Sequence, residues 1–130
     1  MSMRGWLLLL CAFLFVWEPL RVAGELTGSI GTLGMRGVAG AIELAVHAAV
    51  AMLAVAAGWG LWIRSPHAPA LAAFAVAASA AVTIQSLCWS SLPGNTVPGE
   101  RLPVSLVALA HAAGWIAFLR RSRRVRAAYR

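Results

Sequence analysis

An all-α, polytopic membrane protein is what this sequence predicts: a compact bundle of four transmembrane helices, with N-terminus and C-terminus both cytoplasmic. Three observations carry that expectation. Of 130 residues, 61% are hydrophobic and only 12% are charged, about half the charged share of a soluble domain. The apolar residues fall in four runs, each close to the ~20 residues that cross a bilayer as a helix. The formal charge of +7 is concentrated at one end, as in a flank that stays on the cytoplasmic side. A soluble chain this short could not hide so much apolar surface.

The chain has room for one domain, residues 1–130. Its first span covers residues 5–26. Arg4 followed by an apolar run also resembles a signal peptide, with Val22-Ala23-Gly24 as a cleavage site. Glu18, Pro19 and Arg21 are poor neighbours for such a site, so a retained helix is expected. Residues 24–37 carry Gly24, Gly28, Gly31, Gly34 and Gly37, the composition of a flexible loop.

The second span covers residues 38–63 and ends at the hairpin Arg64-Ser65-Pro66-His67-Ala68-Pro69. The third covers residues 68–92. Two Pro-Gly turn signals, Pro93-Gly94 and Pro98-Gly99, mark the next connection. The fourth, residues 102–119, is the shortest, and a basic tail over residues 120–130 follows it.

Arginine placement sets the orientation. With the N-terminus inside, Arg4, Arg64 and the tail arginines face the cytoplasm, against Arg36 and Arg101 outside, with Arg21 buried near that side. Arg120, Arg121, Arg123, Arg124, Arg126 and Arg130 are expected to meet anionic lipid headgroups. No base-stacking aromatics interleave with them, so nucleic acid is not the expected partner. All basic residues are Arg and Ala is abundant, which hints at a bacterial source and hence a cytoplasmic (inner) membrane. Trp6, Trp59, Trp62 and Trp115 fall toward the inner boundary and Trp89 toward the outer one, as an interfacial belt requires.

Ala41, Ala45 and Ala49, and likewise Ala73, Ala77 and Ala81, recur every four positions. Such stripes let helix backbones approach, within the bundle or against another subunit. Cys11 and Cys88 lie at different depths and are not expected to pair.

Ionisable groups inside a span are costly and therefore mark sites. Glu18 and Arg21 lie on the first span, Glu43 and His47 on the second, Gln85 on the third and His111 on the fourth. Counting rise along each helix places all six in one outer layer, with Arg21 opposite Glu43 and Glu18 opposite His47. The layer is either a set of structural pairs or a proton- or solute-binding site. His47 and His111 at similar depth could also ligate haem or, with Glu43, a transition metal. No motif accompanies them, and no cofactor or metal is expected.

Phosphate-cradling loops, Cys-x-x-Cys and His-Glu-x-x-His are missing, so an enzyme is not expected. Two segments carry a resemblance. Gly5-Trp6-Leu7-Leu8-Leu9-Leu10 with Pro19-Leu20-Arg21, and the run from Trp115 to Tyr129 with its Ser122-Arg123-Arg124-Val125-Arg126 core, are similar to the two ends of a bacterial four-helix membrane-protein family. That family is catalogued as domain of unknown function 2569. The resemblance implies an architecture and no activity. Glu18 and the two membrane histidines depart from the family pattern. The expected function is that of an accessory or interaction protein, with a small oligomeric proton-coupled transporter as the alternative and a bis-histidine haem protein as a further one.

Overall fold

The computed structural model describes residues 5–89 and 97–129. Among the described residues, four helices are long and apolar enough to cross a membrane: α1 (Trp6–Ile30), α2 (Leu33–Trp62), α3 (Ala68–Trp89) and α4 (Arg101–Arg121). A short helix, α5 (Arg123–Ala128), follows them. There is no strand among the described residues.

Within α1 the turn Phe13–Trp17 is a π-helix, and the Glu18 N–H reaches back five residues to the Phe13 carbonyl. Pro19 explains the widening. It has no N–H to offer Phe15, and its ring would crowd that carbonyl in a regular α-turn. The wider turn absorbs the misfit and the helix continues.

The glycine-rich loop expected over residues 24–37 is mostly helix. Gly24 and Gly28 lie inside α1, and only Gly31 and Thr32 form the turn. Intrahelical bonds satisfy the backbone there, as a membrane-spanning helix requires. Thr32 closes the turn, donating from both its N–H (3.1 Å) and its hydroxyl (3.0 Å) to the Ser29 carbonyl. Gly37 then breaks the ladder of α2 at φ 65°, ψ −160°, a conformation open essentially to glycine alone. The straight part of α2 therefore begins at Val38, the expected start of the second span.

At its far end α2 stops in a Schellman motif. Ser65 N–H donates to the Gly60 carbonyl at 2.9 Å and Arg64 N–H to the Leu61 carbonyl at 3.3 Å. Arg64 takes the left-handed position with φ 59°. The α3–α4 connection is described only from Val97 on, where Pro98–Glu100 form a 3-10 turn into α4. The Pro93-Gly94 signal lies outside the described residues.

The helices pack in chain order, α1 on α2, α2 on α3 and α3 on α4. Aromatic side chains bring α4 back to α1: Trp6 meets Trp115 edge-on at 6.4 Å and Phe13 meets His111 at 4.8 Å. The core is built from Leu10 and Leu14 of α1, Ala54, Ala57 and Leu61 of α2, and Ala68, Ala72 and Ala75 of α3. The expected alanine stripes do not form it. Ala73 packs against it, but Ala41, Ala45, Ala49, Ala77 and Ala81 are exposed, and beside the first stripe α2 turns Glu43, Leu44, His47 and Val50 inward instead.

The basic tail is more ordered than a simple anchor. The helix of the fourth span extends to Arg121, and Ser122 then caps α5 by accepting from Val125 N–H at 3.4 Å. Val125 and Tyr129 are buried, while Arg120, Arg121, Arg123, Arg124 and Arg126 face outward.

Candidate functional site

The polar residues of α1 recur at Glu18, Arg21 and Glu25, three and four apart and so on one helix face. Arg21 clamps both carboxylates of its own helix: Nη2 donates to Glu18 at 3.2 Å and Nη1 to Glu25 at 2.6 Å. The second oxygen of Glu18 accepts from the Ser79 hydroxyl on α3 at 2.7 Å. The second oxygen of Glu25 meets His47 Nδ1 on α2 at 2.5 Å, and His47 Nε2 meets the Ser86 hydroxyl on α3 at 3.1 Å. Separately, Gln85 donates to Glu43 at 3.3 Å.

One chain of contacts, Ser79–Glu18–Arg21–Glu25–His47–Ser86, thus stitches three helices together. Glu18 and His47 are almost fully buried, whereas the Glu25 side chain is 33% exposed, so the network opens toward its Glu25 end. Among the described residues no buried side-chain nitrogen or oxygen lacks a hydrogen-bond partner. His47 Nδ1 is placed to donate to the Glu25 carboxylate, while the Ser86 hydroxyl can donate to Nε2 or accept from it.

Five of the six expected residues, Glu18, Arg21, Glu43, His47 and Gln85, lie on the three stitched helices, but their pairings differ. Arg21 pairs within its own helix rather than with Glu43. His47 stands opposite Glu25 rather than Glu18, seven residues or about 10 Å further along α1. Continuation of α1 to Ile30 and the break at Gly37 together shift the register between α1 and α2. Glu25, Ser79 and Ser86 were not anticipated. Glu25 falls in a stretch that reads as loop, although its spacing of four from Arg21 is an ion-pair signal. Ser79 and Ser86 sit seven apart on one face of α3, which only a helical projection reveals.

His111 does not join this network. It is exposed in the middle of α4, and among the described residues its ring has no hydrogen-bond partner. It packs on Phe13 and stands edge-on to Trp115 at 6.2 Å. Phe13 and Glu25 are twelve residues apart on α1, so His111 and His47 differ in height by about 18 Å. The two histidines therefore do not form a bis-imidazole pair, and both ring nitrogens of His47 are already engaged. Among the described residues no cluster of three metal-ligating side chains occurs. Around His111, Trp6, Leu9, Ala110, Gly114 and Phe118 line an open groove between α1 and α4.

Comparison with family models, with curated proteins and with solved structures gave no match.

Proposed function

We propose that this chain is a non-enzymatic accessory or interaction protein of a bacterial cytoplasmic membrane, with both termini cytoplasmic, and that it works by lateral association through α4. His111 carries the proposal. An imidazole N–H left unpaired at the middle of a span costs on the order of 1–3 kcal/mol. A neighbouring membrane helix that offers it an acceptor removes that cost.

The surroundings suit a docking face. Only 11% of the apolar stretch of α4 is buried, against 28% to 33% in the other three spans. Gly114 has open space where a side chain would stand, so a second backbone can approach. The polar network beneath is satisfied within the chain and serves this reading as the lock that holds α1, α2 and α3 together.

Affinity purification from native membranes in mild detergent, followed by mass spectrometry, tests the proposal. A near-stoichiometric partner, or self-association, is expected for the wild type and is lost in His111→Leu and Gly114→Leu. A monomeric, partner-free wild type overturns it.

A second reading rests on the Glu25–His47–Ser86 chain, which leads from a partly exposed carboxylate into the bundle and has the form of a proton relay. In that case the chain is a small proton-coupled transporter. Proteoliposomes carrying Glu25→Gln then lose the proton flux that the wild type shows; equal flux in both removes this reading.

A further inference from the structure

We infer that the groove between α3 and α4 is a binding site for one anionic phospholipid, with its phosphate at Arg120 and an acyl chain lying along the helices. The groove measures about 440 Å³ and is walled by Pro69, Ala73, Phe74 and Ala77 of α3 and by Ile116 and Arg120 of α4. Pro69 and Arg120 mark one end of the bundle, since α3 begins where α4 finishes. From Pro69 to Ala77 the trough runs eight residues, about 12 Å, into the apolar zone. A ligand that fits must join a negative charge to a hydrocarbon tail at that spacing, which is the form of a phospholipid.

Charge fixes the sign of the headgroup. Arg64, Arg120, Arg121, Arg123, Arg124 and Arg126 are gathered at this end. The four carboxylates, Glu18, Glu25, Glu43 and Glu100, lie mid-span or at the opposite end. Arg120 has no ion-pair partner among the described residues, so its guanidinium is available for a phosphate. Phe74, 64% exposed, stands beside the trough as an outer wall, and the open side lets a chain enter from the bilayer without any rearrangement. This site lies on a different flank of α4 from His111 and does not depend on α4 having a protein partner.

The test titrates delipidated protein in detergent with phosphatidylglycerol or phosphatidylcholine and counts bound lipid by native mass spectrometry. Wild type is expected to hold one phosphatidylglycerol, about fivefold more tightly than phosphatidylcholine, as one added arginine contact predicts. Arg120→Gln abolishes that preference. Ala77→Phe fills the trough and weakens both lipids, with Ile116→Trp as a second filling variant should the first not fold. The double variant Arg124→Gln/Arg126→Gln loses general headgroup contact but keeps the single bound phosphatidylglycerol and its preference, because neither residue lines the trough. Equal loss in Arg120→Gln and the double variant, with no effect of either filling variant, means diffuse attraction to a basic surface and overturns the site. Displacement of the lipid by inorganic phosphate at matched concentration overturns it too, since a plain anion site gains nothing from a tail.

Discussion

The Tyr129 hydroxyl donates to the Leu61 carbonyl at 2.7 Å, joining the described end of the chain to the last turn of α2. Leu61 is one of the residues whose carbonyls a helix terminus leaves under-satisfied. Its oxygen already receives the Arg64 N–H in the Schellman turn, and the phenol occupies the remaining lone pair. Burial pushes the Tyr129 phenol up to about 12, with Cys11 adding to the rise and Arg64 opposing it.

The sign of the pH dependence follows. A raised phenol pKa means that the fold favours the neutral, donating form, so the docking contribution is complete below the unfolded value of about 10. It is lost as pH climbs from there through about 12. Since the chain has a single tyrosine, the near-ultraviolet tyrosinate signal reads this titration directly. Tyr129→Phe is expected to release α5 at neutral pH at a cost of about 1 kcal/mol, seen as faster tryptic cleavage after Arg123, Arg124 and Arg126. An unchanged cleavage rate counts against the contact.

Arg21→Ala is expected to destabilise the bundle by about 3–5 kcal/mol, because it strands the buried Glu18 carboxylate without its cation. Glu43→Gln should cost less than Arg21→Ala, since an amide oxygen still accepts from Gln85. Folded yield and denaturant titration in detergent distinguish the two. A mild Arg21→Ala beside a severe Glu43→Gln contradicts the network.

Gly37→Ala should cost about 1–3 kcal/mol through the backbone alone. The new methyl meets open space, so no steric term confuses the comparison. An equal stability of variant and parent in thermal melts excludes the strained conformation at this position.

In the proposed orientation Cys88, exposed near the end of α3, faces the outer side, while Cys11 is buried in the core. A membrane-impermeant maleimide added to intact cells is expected to modify Cys88 and spare Cys11. Labelling that occurs only after lysis reverses the orientation.

The four spans were legible in the sequence because each is a long apolar run, and lipid leaves such a run no choice but helix. The glycines of residues 24–37 misled for the same reason. In water Gly24 and Gly28 favour a loop, whereas beside an apolar run they remain in the helix and carry Glu25 into the network. The ionisable residues themselves could be read, as charge inside a span is conspicuous. Their partners could not, because pairing depends on register, and register turns on the π turn before Pro19 and the break at Gly37. Similarly, Ser122 and Val125 stood out as a pattern, but only the fold shows that one caps α5 and the other is buried in the core.

The bond between Tyr129 and Leu61 has a bearing on how the molecule is made. Leu61 emerges early and Tyr129 late, with two complete crossings between them, and only an even number of crossings brings the chain back to the side it left. A nascent chain that skips α3 or α4 strands its phenol across the bilayer from its acceptor. The contact can therefore form only in a chain that crosses the bilayer an even number of times after Leu61.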